Sequence, residues 1–235
     1  MTVILKKGLS SLEIAYTDEM LAQFEKYYEL LIEWNEKMNL TAITEKEEVA
    51  VKHFLDCATC LKHIDLKGSV IDVGTGAGFP GIVLKILKPD IKICLLDSLN
   101  KRIGFLNEVI SELGLKNVET VHSRAEDGAQ NKNYREKFDF CVSRAVANLS
   151  TLSEYCLPFV KEGGMFVSMK GPDVKEELDS ARSAIGTLGG QVISTEVENL
   201  PDSDINHTII KIKKVRATPT KYPRKAGKPS KEPLK

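Results

Sequence analysis

The residues best suited to chemistry lie in a glycine-rich stretch that follows an apolar run with a single acid. The run covers residues 70–73 and contains Asp72, and glycines recur through residues 74–81. A strand, a glycine turn and a helix start together form a ligand cradle at the carboxyl edge of a parallel sheet. Glycine lets the backbone approach a ligand closely, because no Cβ intervenes. The glycines predicted to contact this ligand are Gly74, Gly76 and Gly78.

Two classes of ligand compete for this cradle. Gly76, Gly78 and Gly81 formally fit the glycine spacing of dinucleotide-binding proteins, which would favour an NAD-linked oxidoreductase. Counted from Gly74, the first glycine after the strand, the pattern is instead Gly-x-Gly-x-Gly. The Asp72 carboxylate would repel a pyrophosphate and favour a cationic group. S-adenosylmethionine has a sulfonium, an ammonium and no phosphate, so the acid fits this methyl donor better.

Acidic residues also follow the next two predicted strands. Asp97 ends the second strand, after the apolar residues 93–96, and a carboxylate there can accept hydrogen bonds from both ribose hydroxyls of an adenosine. Ala125 and Glu126 follow the third predicted strand and are expected near the adenine. Three acids at successive strand ends rarely arise by chance. The pattern therefore predicts a site for S-adenosylmethionine, with Asp72, Asp97 and Glu126 at the donor.

The loop after the fourth predicted strand contains Arg144, where a methyltransferase of this architecture faces the donor methyl group. The Asn/Asp-Pro-Pro-aromatic motif of amino-group methylases is absent, and Cys141 lies inside the strand. A nucleophile with its own lone pair, such as guanine N7, needs only in-line placement. We interpret Arg144 as the catalytic residue, contacting the guanine or the donor. The alternative is a structural ion pair with an acid such as Asp72 or Glu126.

A metal site is suggested by the spacing of His53, Cys57, Cys60 and His63. Apolar residues share this stretch, and a structural zinc usually joins two chain segments rather than decorating one helix. Two cysteines on a packed helix are more often core residues. We therefore predict no metal.

The elements that must position these residues alternate between strand and helix after residue 67, which is typical of a parallel sheet covered on both faces. Two further strand-like runs have no helix between them and predict an antiparallel hairpin at one edge. The strands are predicted over 69–73, 91–97, 118–122, 138–143, 165–169, 191–200 and 207–215, and the helices over 80–87, 101–113, 149–160 and 173–188. This pattern predicts an α/β, Rossmann-like, mostly parallel seven-stranded sheet, which is the fold of class I S-adenosylmethionine-dependent methyltransferases.

Helical periodicity over 17–37 and 45–64 precedes the first strand. We divide the chain into an N-terminal helical extension (1–64), a methyltransferase domain (65–215) and a basic C-terminal tail (216–235) expected to be loop.

Composition restricts the function further. The chain has 33 Lys+Arg and 33 Asp+Glu in 235 residues, with 42% hydrophobic residues, which excludes a wholly disordered chain. Residues 211–235 hold ten basic residues and one acid, so this end of the chain is strongly basic. Segments of this kind commonly bind a polyanion. Five scattered cysteines and the lack of a long apolar run predict a reduced, cytoplasmic protein that does not enter a membrane. We expect a monomer.

Five stretches of the sequence resemble the bacterial ribosomal RNA small subunit methyltransferase G family, also called glucose-inhibited division protein B. They are residues 34–41, 72–81, 96–102, 143–147 and 221–227, and the likeness covers nearly the whole chain. The resemblance implies methylation of N7 of one guanine in 16S ribosomal RNA, either naked or in the 30S particle, with S-adenosylmethionine as donor. The family's donor-binding positions map onto Gly74, Phe79, Ala125, Glu126 and Arg144.

The resemblance also implies an RNA-binding role for the basic tail. Its cations can neutralise phosphates, and Tyr222 can stack on a base or pack back on the body. Asn39 is interpreted either as part of the RNA face or as a helix cap. A ribosome-associated binding protein without turnover is a further alternative. The residues predicted to bind RNA are Asn39, Lys221, Tyr222, Arg224, Lys225 and Lys228.

Overall fold

A seven-stranded sheet forms the centre of the computed structural model, which describes residues 1–144, 147–201 and 203–235. Ala145 and Val146 of the predicted reaction-centre loop, and Asp202 between the last two strands, lie outside the described residues. The strands are β1 (Ser69–Val73), β2 (Lys92–Asp97), β3 (Val118–His122), β4 (Phe138–Arg144), β5 (Val160–Lys170), β6 (Gly190–Asn199) and β7 (Asn206–Lys214).

The order of the strands across the sheet is β3-β2-β1-β4-β5-β7-β6. The first five strands are parallel, and β7 pairs antiparallel with both β5 and β6. The chain passes from β1 outward to β2 and later returns to place β4 on the other side of β1. A crevice opens at such a reversal, outside the carboxyl ends of the strands. The sheet therefore positions a site beyond β1 and β4.

The helices cover both faces of the sheet. The predicted helix over 45–64 is continuous from Lys46 to Lys62 but changes its winding along the way, with a π turn at Ala50–Leu55 and a 3₁₀ turn at Thr59–Lys62. The helices are α1 (Thr2–Ser11), α2 (Asp18–Met38), α3 (Lys46–Val49), α4 (Asp56–Ala58), α5 (Gly81–Leu87), α6 (Asn100–Glu112), α7 (Ala125–Gly128), α8 (Leu149–Cys156), α9 (Lys175–Thr187) and α10 (Lys228–Lys231).

Besides the short helices α7 and α10, which are not predicted, three elements differ from the sequence prediction. Helix α1 is not predicted, although Leu5 and Leu9 bury one of its faces. Helix α8 ends at Cys156 rather than at residue 160, because Pro158 lacks a backbone donor and the chain tightens to a 3₁₀ turn. Strand β5 begins five residues before the predicted 165, where two glycines and two charged residues conceal the strand pattern.

The core has two layers, one on each face of the sheet. Alternate residues along the strands divide between them, so that Val70 faces one layer and Ile71 the other. The helical extension packs into the same layer as α5 and α6, with Phe54 and Phe105 in one buried cluster. One hydrophobic cluster contains residues from both sides of position 64, so the core does not divide there. The predicted domain boundary at residue 64 stays a prediction.

The C-terminal segment, residues 216–235, is irregular as expected except for the short α10, and it is not a free tail. Arg135 donates hydrogen bonds to the carbonyl oxygens of Thr218 (2.9 Å) and Tyr222 (2.8 Å), and Tyr222 is buried. The segment packs against the face that holds α8. Among the described residues no helix is long and apolar enough to cross a membrane.

Candidate active site

Two adjoining pockets form a cleft at the carboxyl ends of the parallel strands. The larger cleft pocket has a volume of about 520 Å³ and the smaller cleft pocket about 390 Å³, and Gly74 lines both. Arg144 and Phe79 line the larger pocket. Ala125 and Glu126 line the smaller one. The glycine loop therefore lies between a pocket next to the predicted reaction centre and a pocket next to the predicted adenine site.

The glycine loop is held from both sides. The backbone amides of Gly74 and Thr75 donate to the Leu96 carbonyl at the end of β2 (2.9 and 3.1 Å). Tyr27 of α2 is fully buried and donates its hydroxyl proton to the Ala77 carbonyl. A helix of the N-terminal extension thus fixes the loop that faces the cleft.

Two loop glycines differ in why they must be glycine. Gly76 has φ +61°, and a Cβ there would meet no atom within 4 Å, so its open side borders the larger cleft pocket. Gly78 has φ +94°, and a Cβ there would lie 2.5 Å from the Tyr27 hydroxyl. Gly78 lines neither pocket, which gives it a packing role in place of the predicted ligand contact.

Asp72 lies beneath the loop rather than on the cleft wall. Its Oδ2 accepts hydrogen bonds from the Thr75 hydroxyl (2.7 Å) and the Gly81 amide (2.8 Å). Burial raises the pKa of Asp72 to about 7, although these two hydrogen bonds act in the opposite direction. Its Oδ1 has no hydrogen-bond partner among the described residues. Asp72 therefore shapes the loop and keeps one buried oxygen that fits a cationic or N–H group.

Asp97 also supports the loop. It is buried, and its oxygens accept from the amides of Gly76 and Leu99 (both 2.9 Å) and from Arg102 (3.3 Å). A carboxylate has about four acceptor positions, so these donors leave about one. The carboxylate lines neither pocket, whereas the adjacent Ser98 and Leu99 line the smaller one. Its contact with a ribose stays a prediction.

Ala125 and Glu126 begin α7 shortly after β3 and line the smaller cleft pocket, and their contact with an adenine stays a prediction. The Glu126 carboxylate accepts a hydrogen bond from the Gly227 amide at 2.8 Å. Gly227 and Ser230 line the same pocket. The C-terminal segment thus closes the outer side of the smaller pocket, a placement that is not predicted from the sequence.

Arg144 ends β4 and lies in the larger cleft pocket over the Phe79 ring, with 5.1 Å between the guanidinium carbon and the ring centroid. It donates to the Asp56 carboxylate (2.6 Å), to the Lys52 carbonyl (3.2 Å) and to His53 Nδ1 (3.2 Å). The alternative prediction of a buried ion pair with an acid therefore matches the structure, although the acid is neither of the two examples, Asp72 and Glu126. The acid comes from the helical extension.

Asp56 connects Arg144 to a second side chain of the larger pocket. His207 Nδ1 lies 2.7 Å from the other Asp56 oxygen, and its Nε2 lies 2.8 Å from the Thr59 hydroxyl. Burial alone would raise the pKa of Asp56, but His207 and Arg144 hold this pKa below its ordinary value. Asp56 is therefore an ionised bridge between the extension and the sheet.

His53 lies in the π turn and stacks on Phe79, with 4.6 Å between the ring centroids. Burial, and then the Arg144 cation, lower the pKa of His53 to about 4, so the ring is neutral at pH 7. Its Nδ1 lies 3.1 Å from the Lys52 carbonyl, to which it can donate, and 3.2 Å from Arg144 Nη2, from which it can accept, so each tautomer of the neutral ring serves one of these two contacts. Its Nε2 lies 2.8 Å from the Thr41 hydroxyl. A π turn often marks a functional position, because it re-aims side chains within a helix.

Two residues of the larger pocket, Asp56 and His207, are not predicted from the sequence. The three-residue spacing of His53 and Asp56 places both on one helical face, and that signal is present in the sequence. His207 is 151 positions further along the chain than Asp56, and no local pattern connects them.

The four residues of the suggested metal site do not converge. Cys57 and Cys60 are buried in the core, where Cys60 donates its thiol proton to the Cys57 carbonyl at 3.3 Å. His63 pairs with Glu198 at 2.6 Å, and His53 belongs to the Arg144 cluster. In the described ranges no group of three or more His, Cys, Asp or Glu side chains is placed to hold a metal.

The residues predicted to bind RNA divide into two groups. Lys221, Lys225 and Lys228 are exposed. Tyr222 is buried, and Arg224 pairs with the buried Glu154 at 2.7 Å, so these two are anchors within the fold rather than free surface groups.

Asn39 is exposed and ends α2 in the left-handed conformation, with φ +39°. This is the helix-cap alternative that the sequence leaves open. A role of Asn39 in RNA binding stays a prediction.

The sheet order, the antiparallel β7 and the glycine loop at the reversal define the fold of class I S-adenosylmethionine-dependent methyltransferases. A similar solved structure is a variant of the 16S rRNA (adenine(1408)-N(1))-methyltransferase from Catenulisporales acidiphilia. It is 14% identical, with a TM-score of 0.52 over 63% of this chain and 88% of that one. The predicted fold class is confirmed.

The family can be assigned from the sequence as a whole. The model of the GidB family, rRNA small subunit methyltransferase G, matches residues 20–206. The protein named ribosomal RNA small subunit methyltransferase G of Alkaliphilus oremlandii is 57% identical over 99% of this chain and 98% of its own length. The protein of that name in Alkaliphilus metalliredigens is 55% identical, with the same coverage. The chain therefore belongs to the rRNA small subunit methyltransferase G family.

Family membership confirms the predicted resemblance and the predicted enzyme class. The alternatives of an NAD-linked oxidoreductase and of a binding protein without turnover are wrong.

Proposed function

We propose that this chain transfers the methyl group of S-adenosylmethionine to N7 of a guanine in 16S ribosomal RNA. The observation that carries this proposal is the larger cleft pocket, where the Arg144 guanidinium lies over Phe79 beside the glycine loop. Arg144 is a fixed hydrogen-bond donor in this pocket. Methylases that act on amino groups have hydrogen-bond acceptors at the corresponding position. Such a pocket suits a base whose reacting atom already carries a lone pair.

S-adenosylmethionine is the methyl donor of this class of enzyme, and the residues of the cleft fit it. When bound, it supplies an electrophilic methyl group on a sulfonium. Asp72, which is buried beneath the loop and has one oxygen without a partner among the described residues, adds negative charge that suits the cationic groups of the donor. Asp97 suits its ribose, and Ala125 and Leu99 suit its adenine. Gly74, which lines both pockets, would lie at the middle of the donor.

Arg144 has the geometry to orient a guanine. Of the five N–H groups of a guanidinium, two donate to Asp56 and Lys52, and a third points at His53 Nδ1. At least two N–H groups therefore have no partner among the described residues. These two can donate to guanine O6 while N7 stays free. Because N7 carries no proton, no side chain must act as a general base, and the rate gain comes from placement.

Asp56 and His53 act through Arg144. They fix the guanidinium from the side of the helical extension, so both are positioning residues. The neutral His53 ring lies beside Arg144, with 3.2 Å between Nδ1 and Nη2, and adds no second positive charge to the pocket.

The substrate is an RNA, and the exposed cations Lys221, Lys225 and Lys228 are positioned to contact its phosphates. We further propose that the chain acts as a monomer in the cytoplasm. Both naked 16S RNA and the 30S particle are candidate forms of the substrate.

A tritium-transfer assay tests the proposed function. The full chain is incubated with labelled S-adenosylmethionine and with 16S RNA or 30S particles that lack this methylation, and the labelled nucleoside is identified by mass spectrometry. We expect label on N7 of one guanine, with one of the two substrate forms clearly preferred. Label on an exocyclic amine, or no label while the donor binds, would refute the proposal.

A further inference from the structure

The C-terminal segment forms the outer wall of the smaller cleft pocket. We propose that residues 216–235 are part of the donor-binding site and hold the adenosine half of S-adenosylmethionine. This inference rests on the proposed function, which places the adenosine in that pocket. It assigns a binding role to a segment whose basic composition predicts only RNA contact.

The segment is anchored by a charged pair inside the fold. The side chain of Arg224 donates from Nε and Nη2 to the Glu154 carboxylate at 2.9 and 2.7 Å, and the Arg224 amide donates to the same group at 2.7 Å. Glu154 lies on α8 and is fully buried. A buried carboxylate with three donors from one residue fixes both the side chain and the backbone at position 224.

Further hydrogen bonds hold the chain on either side of this anchor. Gln130 donates to the Pro223 carbonyl at 3.0 Å, and Thr151 donates to the Pro229 carbonyl at 3.1 Å. Ser150 donates to the Leu234 carbonyl. Three side chains of the body therefore hold the segment along its length, and its position at the pocket does not depend on a ligand.

The wall itself is made by Gly227 and Ser230. The Gly227 amide donates to Glu126, the residue predicted to lie at the adenine, and both residues line the pocket. Gly227 has φ +79°, and a Cβ there would meet nothing within 4 Å, so its backbone conformation and not its surroundings require glycine. If the adenosine enters this pocket, it lies between α7 and the C-terminal segment.

Two variants of the full chain test the inference. Gly227→Pro removes the amide that holds Glu126 and forbids the positive φ. Arg224→Gln removes the anchor but leaves the Glu154 charge buried, so it carries a greater risk of unfolding. Lys231→Gln is the matched control, because it removes one exposed charge from the same segment. Thermal melting identifies which variants are folded at the temperature of measurement.

Donor and RNA affinities are measured separately, with S-adenosylmethionine by calorimetry and with a 16S RNA fragment by filter binding. We expect Gly227→Pro and Arg224→Gln to weaken donor binding roughly tenfold or more, with RNA affinity no lower than in Lys231→Gln. A folded Gly227→Pro variant with unchanged donor affinity would overturn the inference, as would a decrease in RNA affinity alone. Absence of donor binding by the unmodified chain would instead refute the proposed function.

Discussion

The two pockets of the cleft share one glycine loop but are closed by opposite ends of the chain. The larger pocket is closed by the helical extension, through the cluster of His53, Asp56 and Arg144. The smaller pocket is closed by the C-terminal segment, through the Gly227 amide on Glu126. Neither terminal region is therefore an appendage of the methyltransferase sheet, because each completes one half of the site.

The two walls differ in the kind of interaction that holds them. In the larger pocket, the ionised Asp56 bridges Arg144 and His207, so its removal leaves a guanidinium buried without its counter-ion. At the smaller pocket, the wall is held by one backbone hydrogen bond, from the Gly227 amide to Glu126. The ion pair between Arg224 and Glu154, outside the pocket lining, supports this bond. We therefore expect changes in the first wall to affect the reaction, and changes in the second to affect donor affinity.

The largest effect is expected for Arg144→Ala. Removal of the guanidinium abolishes the hydrogen bonds to the guanine, and methyl transfer should fall roughly 10²–10³-fold, as for other preorganised donors in active sites. Donor affinity, measured by calorimetry, should change by less than about tenfold. Single-turnover methylation at an unchanged rate would show that Arg144 takes no part in the reaction, and that the wall of the larger pocket has no role in it.

A smaller decrease in rate is expected for Asp56→Asn. The amide keeps the shape but removes the charge, so Arg144 is held less firmly and kcat should fall roughly 10–100-fold, with little change in the KM for the donor. The free energy of unfolding should fall by about 3 kcal/mol, because one partner of a buried ion pair is removed.

The matched control for this variant is Asp65→Asn, an exposed acid next to the same extension. It should leave both the rate and the unfolding free energy near their original values. Equal decreases in the two variants would mean that Asp56 contributes nothing specific to the larger pocket.

The pH dependence of donor binding tests the loop that both pockets share. The pKa of Asp72 is raised to about 7 by burial, so the carboxylate attracts an ammonium group above this pH and is neutral below it. We expect donor affinity to fall roughly tenfold between pH 8 and pH 6. Asp72→Asn should bind weakly and remove this dependence.

Asp90→Asn changes an exposed acid beyond the other end of α5 and serves as the control for this pH series. It should retain the dependence of the unmodified chain. A dependence that survives in Asp72→Asn would assign the titration to another group.

The smallest effects are expected for the exposed cations of the C-terminal segment. Replacing Lys221, Lys225 and Lys228 together by Gln should weaken RNA binding and reduce its salt dependence, by about 0.7–0.9 in the logarithmic slope for each phosphate that the segment no longer neutralises. Donor affinity should stay unchanged, since none of the three lines the smaller pocket. An unchanged salt slope would show that the segment serves the donor alone.

The sequence predicts the parts of the site that lie at the end of a parallel strand. Asp72, Asp97 and the pair Ala125–Glu126 each lie at or soon after the end of such a strand, and parallel strands bring their carboxyl ends to one edge. Their positions in the chain therefore define their positions in space. The fold class is predictable for the same reason, whereas the family and the enzyme class are predicted from the resemblance of five stretches of the sequence to a known family.

The sequence does not predict which charges find partners inside the fold. Arg224 and Lys225 carry the same charge. Glu154, on a largely buried helix, pairs with Arg224 and not with Lys225, and nothing in the sequence of the C-terminal segment indicates this difference. Asp56 and His207 likewise meet only because the extension packs against the end of the sheet. Pairings between distant segments depend on tertiary packing, which composition and spacing do not encode.

The most direct test of the two-walled cleft is a crystal structure of the full chain with S-adenosylhomocysteine. We expect the adenine between Ala125 and Gly227 in the smaller pocket, and the sulfur at the glycine loop facing Arg144 across the larger pocket. An adenine in the larger pocket, or a C-terminal segment that makes no contact with the nucleoside, would contradict the account.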